Sequence, residues 1–88
     1  MVEKTVKIIN KLGMHARPAA LLVETATRFE SEIILVKDDL EINGKSIMGV
    51  LMLAAEYGST ILIRAKGDDA KEAVEAIAAL IKNKFNEP

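Results

Sequence analysis

The chain contains no cysteine, a single histidine and only 3% aromatic residues in 88 positions. Without cysteine there is no disulfide framework and no thiolate zinc site. One histidine alone supplies neither a nucleophile–base pair nor a metal site, so no metal or other cofactor is expected. So few aromatics leave no stacking platform for single-stranded nucleic acid. The net charge is −1, with acidic and basic residues interspersed, so the basic footprint of a nucleic-acid binder is missing too. The longest apolar runs, such as Val50 to Ala55, fall far short of the ~20 residues that cross a bilayer. The N-terminus, Met1-Val2-Glu3-Lys4, is charged and lacks the apolar stretch of a signal peptide. The expected setting is the cytoplasm, without membrane insertion, and the expected partners are proteins or small anions.

Hydrophobic residues make up 50% of the chain, enough for one core without metal or disulfide staples. No linker, repeat or low-complexity stretch interrupts residues 1–88, which suit one small domain. Thr5 to Ile9 alternates around Val6 and Ile8 and reads as a strand. From Ala16 the period changes, and Ala19, Leu22, Val23, Ala26 and Phe29 fall on one helical face. Ile33 to Val36 and Leu40 to Ile42 read as short strands joined at Asp38-Asp39. A short helix follows from Ser46 through about Ala55, ended at Tyr57-Gly58. Thr60 to Ala65 is a strand. A last helix, capped by Asp68 or Asp69, puts Ala70, Ala73, Val74, Ile77, Leu80, Ile81 and Phe85 on one face. The order β-α-β-β-α-β-α, with one apolar stripe per helix, predicts a two-layer α+β fold with three helices on one sheet face.

The chemistry concentrates in Gly13-Met14-His15-Ala16-Arg17-Pro18-Ala19. An unperturbed imidazole titrates near pH ~6.5, so much of it is neutral and nucleophilic at neutral pH. With His15 at the N-cap, Ala16, Arg17 and Pro18 form the first helical turn. First-turn N–H groups have no helical partner, so proline, which lacks one, costs little there and its fixed φ pre-organises the turn. The N–H groups of Ala16 and Arg17 and the Arg17 cation then form an anion site beside a nucleophile. That combination suits a group that accepts phosphate. No catalytic set accompanies it, which points to a stoichiometric carrier rather than an enzyme.

Gly44-Lys45-Ser46 looks like the end of a phosphate-binding P-loop, but the glycine required five positions before Gly44 is Asp39 here. An aspartate there would repel phosphates, so nucleotide binding is rejected. Ser46 is a helix N-cap candidate. After it, Ile47, Met48, Val50, Leu51, Met52 and Leu53 are more apolar than one buried stripe requires. Exposure of Ile47, Met48 or Leu51 beside His15 would give an adaptable protein-docking patch.

Two segments carry a family resemblance. Gly13 to Ala19 resembles the active-site segment of HPr, the histidine-containing phosphocarrier family of the bacterial phosphotransferase system. Asn43-Gly44-Lys45-Ser46-Ile47-Met48-Gly49-Val50 resembles that family's regulatory serine region, and the spacing and total length also match. The resemblance implies an open-faced β-sandwich with a four-stranded antiparallel sheet. It implies a monomeric carrier phosphorylated at Nδ1 of His15, fed by Enzyme I and discharging to Enzyme IIA components, with Ile47 and Met48 as partner contacts. It further implies regulation at Ser46 by a serine kinase/phosphorylase, which reduces acceptance at His15 or recruits a transcription regulator. Family members often carry a small polar residue three positions before the histidine. Leu12 stands there here, so no side-chain hydrogen bond reaches the ring from that position.

Two other readings compete. The nitrogen-related branch of the phosphotransferase system uses a similar carrier, and Gly44 to Gly49 does not separate the branches. A protein-binding regulator that signals without phosphohistidine would have no use for His15.

Overall fold

The computed structural model describes residues 1–87. Four strands, β1 (Val2–Lys7), β2 (Glu32–Lys37), β3 (Leu40–Asn43) and β4 (Thr60–Lys66), form one antiparallel sheet in the order β1-β4-β2-β3. Three helices, α1 (Ala16–Ala26), α2 (Ile47–Met52) and α3 (Ala70–Lys82), complete an open-faced sandwich. Strand alternation sends Val6, Ile33, Leu35, Ile61, Ile63 and Ala65 into the core, where Leu22, Val50, Ile77 and Ile81 of the helices meet them. The opposite sheet face carries Arg64, whose guanidinium reaches Glu3 on β1 at 2.8 Å and Glu41 on β3 at 3.6 Å. Those carboxylates hold the Arg64 guanidinium above its ordinary range, chiefly through the Glu3 hydrogen bond.

Several boundaries depart from the sequence-based expectation. β1 starts at Val2, not Thr5, because Val2 pairs with Ala65 and Glu3 faces Arg64. Lys4, on the same strand face as Val2 and Val6 yet exposed, breaks the apolar alternation at this end. Phe29 lies beyond α1, which stops at Ala26, and packs half-buried against the core. α2 ends at Met52 rather than Ala55, because Ala54 turns left-handed at φ 51°. Gly58, also left-handed, serves the approach to β4 instead, where its N–H donates to the Ile8 carbonyl at 2.8 Å.

Asp69 takes the N-cap position of α3 without a side-chain cap bond. Its carboxylate instead accepts from the Glu30 and Ser31 N–H groups, each at 2.9 Å, and from the Ser31 hydroxyl. The Ser31 hydroxyl first, then the Glu30 N–H, hold this carboxyl below the usual aspartate range.

Phe85 is buried, but not as a continuation of the α3 stripe. Lys84, Phe85 and Asn86 form a left-handed turn with φ of 55°, 54° and 62°. A left-handed conformation costs roughly 1–2 kcal/mol per non-glycine residue. Burying a phenylalanine returns about 1.5–3 kcal/mol, which offsets part of that cost and folds the C-terminal segment back onto the body.

Candidate functional site

His15 occupies the N-cap of α1 with extended backbone, φ −89° and ψ −172°. Its carbonyl accepts the first helical bond, from the Ala19 N–H at 3.0 Å. The N–H groups of Ala16 and Arg17 therefore precede the helical ladder and have no carbonyl partner within it. Pro18 is buried as the third residue of that turn.

The loop before His15 is set from two sides. Gly13 is left-handed at φ 68°, and a Cβ there would lie 2.8 Å from the Ala55 carbonyl oxygen. Only glycine accepts both conditions without strain. The next N–H, of Met14, donates to that same carbonyl at 2.7 Å, and the Met14 side chain is buried. The segment following α2 thereby lies directly against the histidine loop.

Around His15 the structure brings together groups that are remote in sequence. A cleft of about 310 Å³ is lined by Lys11, Leu12, Arg17 and Glu87. Arg17 is exposed and makes no ion pair among the described residues. Glu87 reaches His15 from the C-terminal turn, its Oε2 lying 2.9 Å from the ring Nε2. Its other oxygen, Oε1, accepts from Asn10 Nδ2 at 2.9 Å, and the same Asn10 amide donates to the Gly13 carbonyl at 2.8 Å. Asn10 is 3% exposed. Glu87 and Asn10 were not singled out from the sequence. An acidic residue near a chain end carries no local signal that it touches a histidine. Leu12, 75% exposed, makes no polar contact with the ring, as expected from its side chain.

Ser46 is the N-cap of α2, and its hydroxyl accepts from the Gly49 N–H at 3.1 Å. Lys45 is turned away from any phosphate loop, with Nζ donating to the Phe29 carbonyl at 2.6 Å. Of the expected docking residues, Ile47 is 42% and Met48 64% exposed. Leu51 is half-buried and packs against the core, so it offers less surface than Ile47 or Met48. Helical spacing explains this, since Val50 and Leu53 point inward and Leu51 sits at their margin. Met52, four residues after Met48 on the same face, is 65% exposed.

Residues 2–83 match the family model described as the PTS HPr component phosphorylation site. The chain belongs to the HPr family of phosphocarrier proteins. It is 51% identical over 87 residues to the phosphocarrier protein HPr of Treponema pallidum (strain Nichols), covering 99% of both chains. Among solved structures, it superposes on the crystal structure of HPr-C-His from Thermoanaerobacter tengcongensis with a TM-score of 0.97 at 48% identity. That match covers 100% of this chain and 99% of the other. A crystal structure of an HPr dimer from the same organism matches at a TM-score of 0.80 and 48% identity, covering 99% and 100% of the two chains. The HPr open-faced sandwich is thus the fold of this chain. No helix of the described residues is long and apolar enough to cross a membrane.

Proposed function

We propose that this HPr-family chain accepts a phosphoryl group on His15 from phospho-Enzyme I and passes it to Enzyme IIA components of a sugar phosphotransferase system. It works in the cytoplasm as a stoichiometric carrier, with its partners completing each transfer. The observation that carries this reading is the opening of α1. A half-exposed imidazole stands there beside helical N–H groups and an Arg17 guanidinium that have no partner among the described residues. The nucleophile and the anion cradle come from consecutive residues, so a phosphoryl group on the ring lies within their reach. Arg17 and the Ala16 and Arg17 N–H groups stabilise the added charge.

A monomer is the proposed working unit, although a 48% identical HPr from Thermoanaerobacter tengcongensis is also known as a dimer. The exposed Ile47 and Met48, on the helix whose C-terminal exit touches the histidine loop, support docking of both partners on that side. Ser46 heads the same helix, and phosphate placed there by a serine kinase would alter this docking surface.

The reading is tested by incubating the protein with Enzyme I and phosphoenolpyruvate and following intact mass. One acid-labile phosphate is expected, absent from His15→Ala. Undiminished labelling of that variant would overturn the assignment. The variant should stay folded, since the His15 side chain caps no backbone N–H.

A further inference from the structure

The carboxylate of Glu87, delivered by the C-terminal turn, meets both the ring of His15 and the loop residue Asn10. We propose that Glu87, steadied by Asn10, is a positioning residue for phosphoryl transfer: it holds Nε2–H of His15 and so presents Nδ1 as the free nucleophile. This rests on the phosphocarrier reading above.

An ionised carboxylate offers only acceptors, so a ring nitrogen 2.9 Å from Glu87 Oε2 must be the one bearing hydrogen. In the neutral ring the lone pair then resides on Nδ1. The carboxylate plane is itself fixed, because Asn10 Nδ2 holds the second oxygen at 2.9 Å. Asn10 is buried and uses its other amide hydrogen on the Gly13 carbonyl, so one side chain ties the histidine loop to Glu87. The loop has no substitute, since Leu12, Gly13 and Met14 carry no side chain suited to hold an imidazole. Delivery of Glu87 depends on the left-handed turn at Lys84–Asn86 and on Phe85, which anchors it in the core.

The chemistry balances without moving a proton at the site. The Nδ1 lone pair forms the N–P bond while the bond from phosphorus to the donor atom breaks and the donor keeps that electron pair. Nε2 keeps its hydrogen throughout, and the positive charge gained by the ring faces the Glu87 carboxylate. On discharge the N–P electrons return to Nδ1, and a neutral imidazole leaves. A carboxylate orients the histidine of a Ser-His-Asp triad in the same way without becoming protonated.

The test compares the parent with Glu87→Ala and Glu87→Gln, using the full chain. Ring ¹⁵N and ¹H NMR of His15 at a pH where the ring is neutral reads the hold directly. Rapid-mixing transfer from phospho-Enzyme I reads its consequence. The parent should show an Nε2–H proton in slow exchange with solvent. Glu87→Ala should lose that signal and transfer about tenfold more slowly at saturating carrier, the size expected for one charge-assisted hydrogen bond. Glu87→Gln, whose side-chain oxygen can accept the same bond without its charge, should recover the slow Nε2–H proton and part of the rate. Amide signals of Phe85 and α3 report whether the C-terminal turn stays docked in each variant. Glu87→Ala with parental ring signals, or with a parental transfer rate, overturns the proposal. So does Glu87→Gln that keeps the ring signal yet transfers no faster than Glu87→Ala. If the parent itself takes up no phosphate, the phosphocarrier reading fails, and the role of Glu87 in transfer fails with it. Normal parental labelling beside an unaffected Glu87→Ala defeats the Glu87 proposal alone.

Discussion

Arg17 separates transfer from stability more cleanly than any other side chain at the site. It is exposed and ion-pairs with nothing among the described residues, so the folded chain gains little from its charge. A phosphoryl group on His15 would give that charge a partner, and hydrogen bonds to charged groups contribute roughly 1.5–3 kcal/mol. Arg17→Ala should therefore slow phosphotransfer by about tenfold or more, since 1.36 kcal/mol corresponds to a factor of ten. Its melting temperature should remain near that of the parent, because surface changes of this kind stay within about 0.5 kcal/mol. Transfer assays normalised to folded protein, paired with melting curves, check both halves. A collapsed melting temperature with a parental rate would make Arg17 structural. His15 and Arg17 could be picked out of the sequence because the signals that start a helix are local: an N-cap position, then proline inside the first turn.

Among the elements, α3 shows where local signals stop. Asp68 or Asp69 was legible as the start of a helix, but the carboxylate of Asp69, which takes the N-cap, serves the segment leading into β2 rather than its own helix. The Ser31 and Glu30 donors hold its pKa down, so the charged form favours the folded state. The sign follows: a depressed folded-state pKa contributes stability that is fully present above the ordinary aspartate range, and this is lost as pH falls through the folded value. Asp69→Asn should melt below the parent at pH 7, and the gap should close as pH falls under that range, where the parent has also lost the charge. Melting curves from pH 7 down to about pH 2 follow the closure. A gap independent of pH would mean that the shape of the side chain matters rather than its charge. β1 and α2 teach the same lesson about boundaries. Val2 opening a strand and Ala54 ending a helix are decided by partners on β4 and by the chain's path toward β4, which no window of sequence contains.

At the scale of the molecule, α1 packs beside α2, which brings the two segments singled out in the sequence to neighbouring helices, and Glu87 joins His15 from 72 positions away. The two-layer arrangement was legible from the apolar stripes of α1 and α3 and the short strand runs, the antiparallel sheet only from the family resemblance, and the strand order β1-β4-β2-β3 from neither. The Glu87 contact was not legible, because it depends on a left-handed turn that burial of Phe85 sustains against local preference. Ser46 brings this arrangement to a test. It caps α2, which presents Ile47, Met48 and Met52 to solvent and leads at Ala55 into the bond with Met14 next to His15. A negative charge at Ser46 faces the positive end of the helix, an effect typically worth 0.3–1 kcal/mol, so the fold should tolerate it. A partner that presents carboxylates to Arg17 would meet that charge with repulsion. Ser46→Asp should therefore keep or raise the melting temperature and raise the carrier concentration needed for half-maximal transfer from Enzyme I. The defect should be larger at low salt, where screening is weakest. Ser46→Ala removes the bond to the Gly49 N–H and should lose about 1 kcal/mol of stability while transferring normally. Phosphotransfer against carrier concentration at two ionic strengths, with melting curves for each variant, tells the cap from the switch. If Ser46→Asp matches the parent at low salt, Ser46 is a cap alone, and the docking surface on α2 is indifferent to charge at its head.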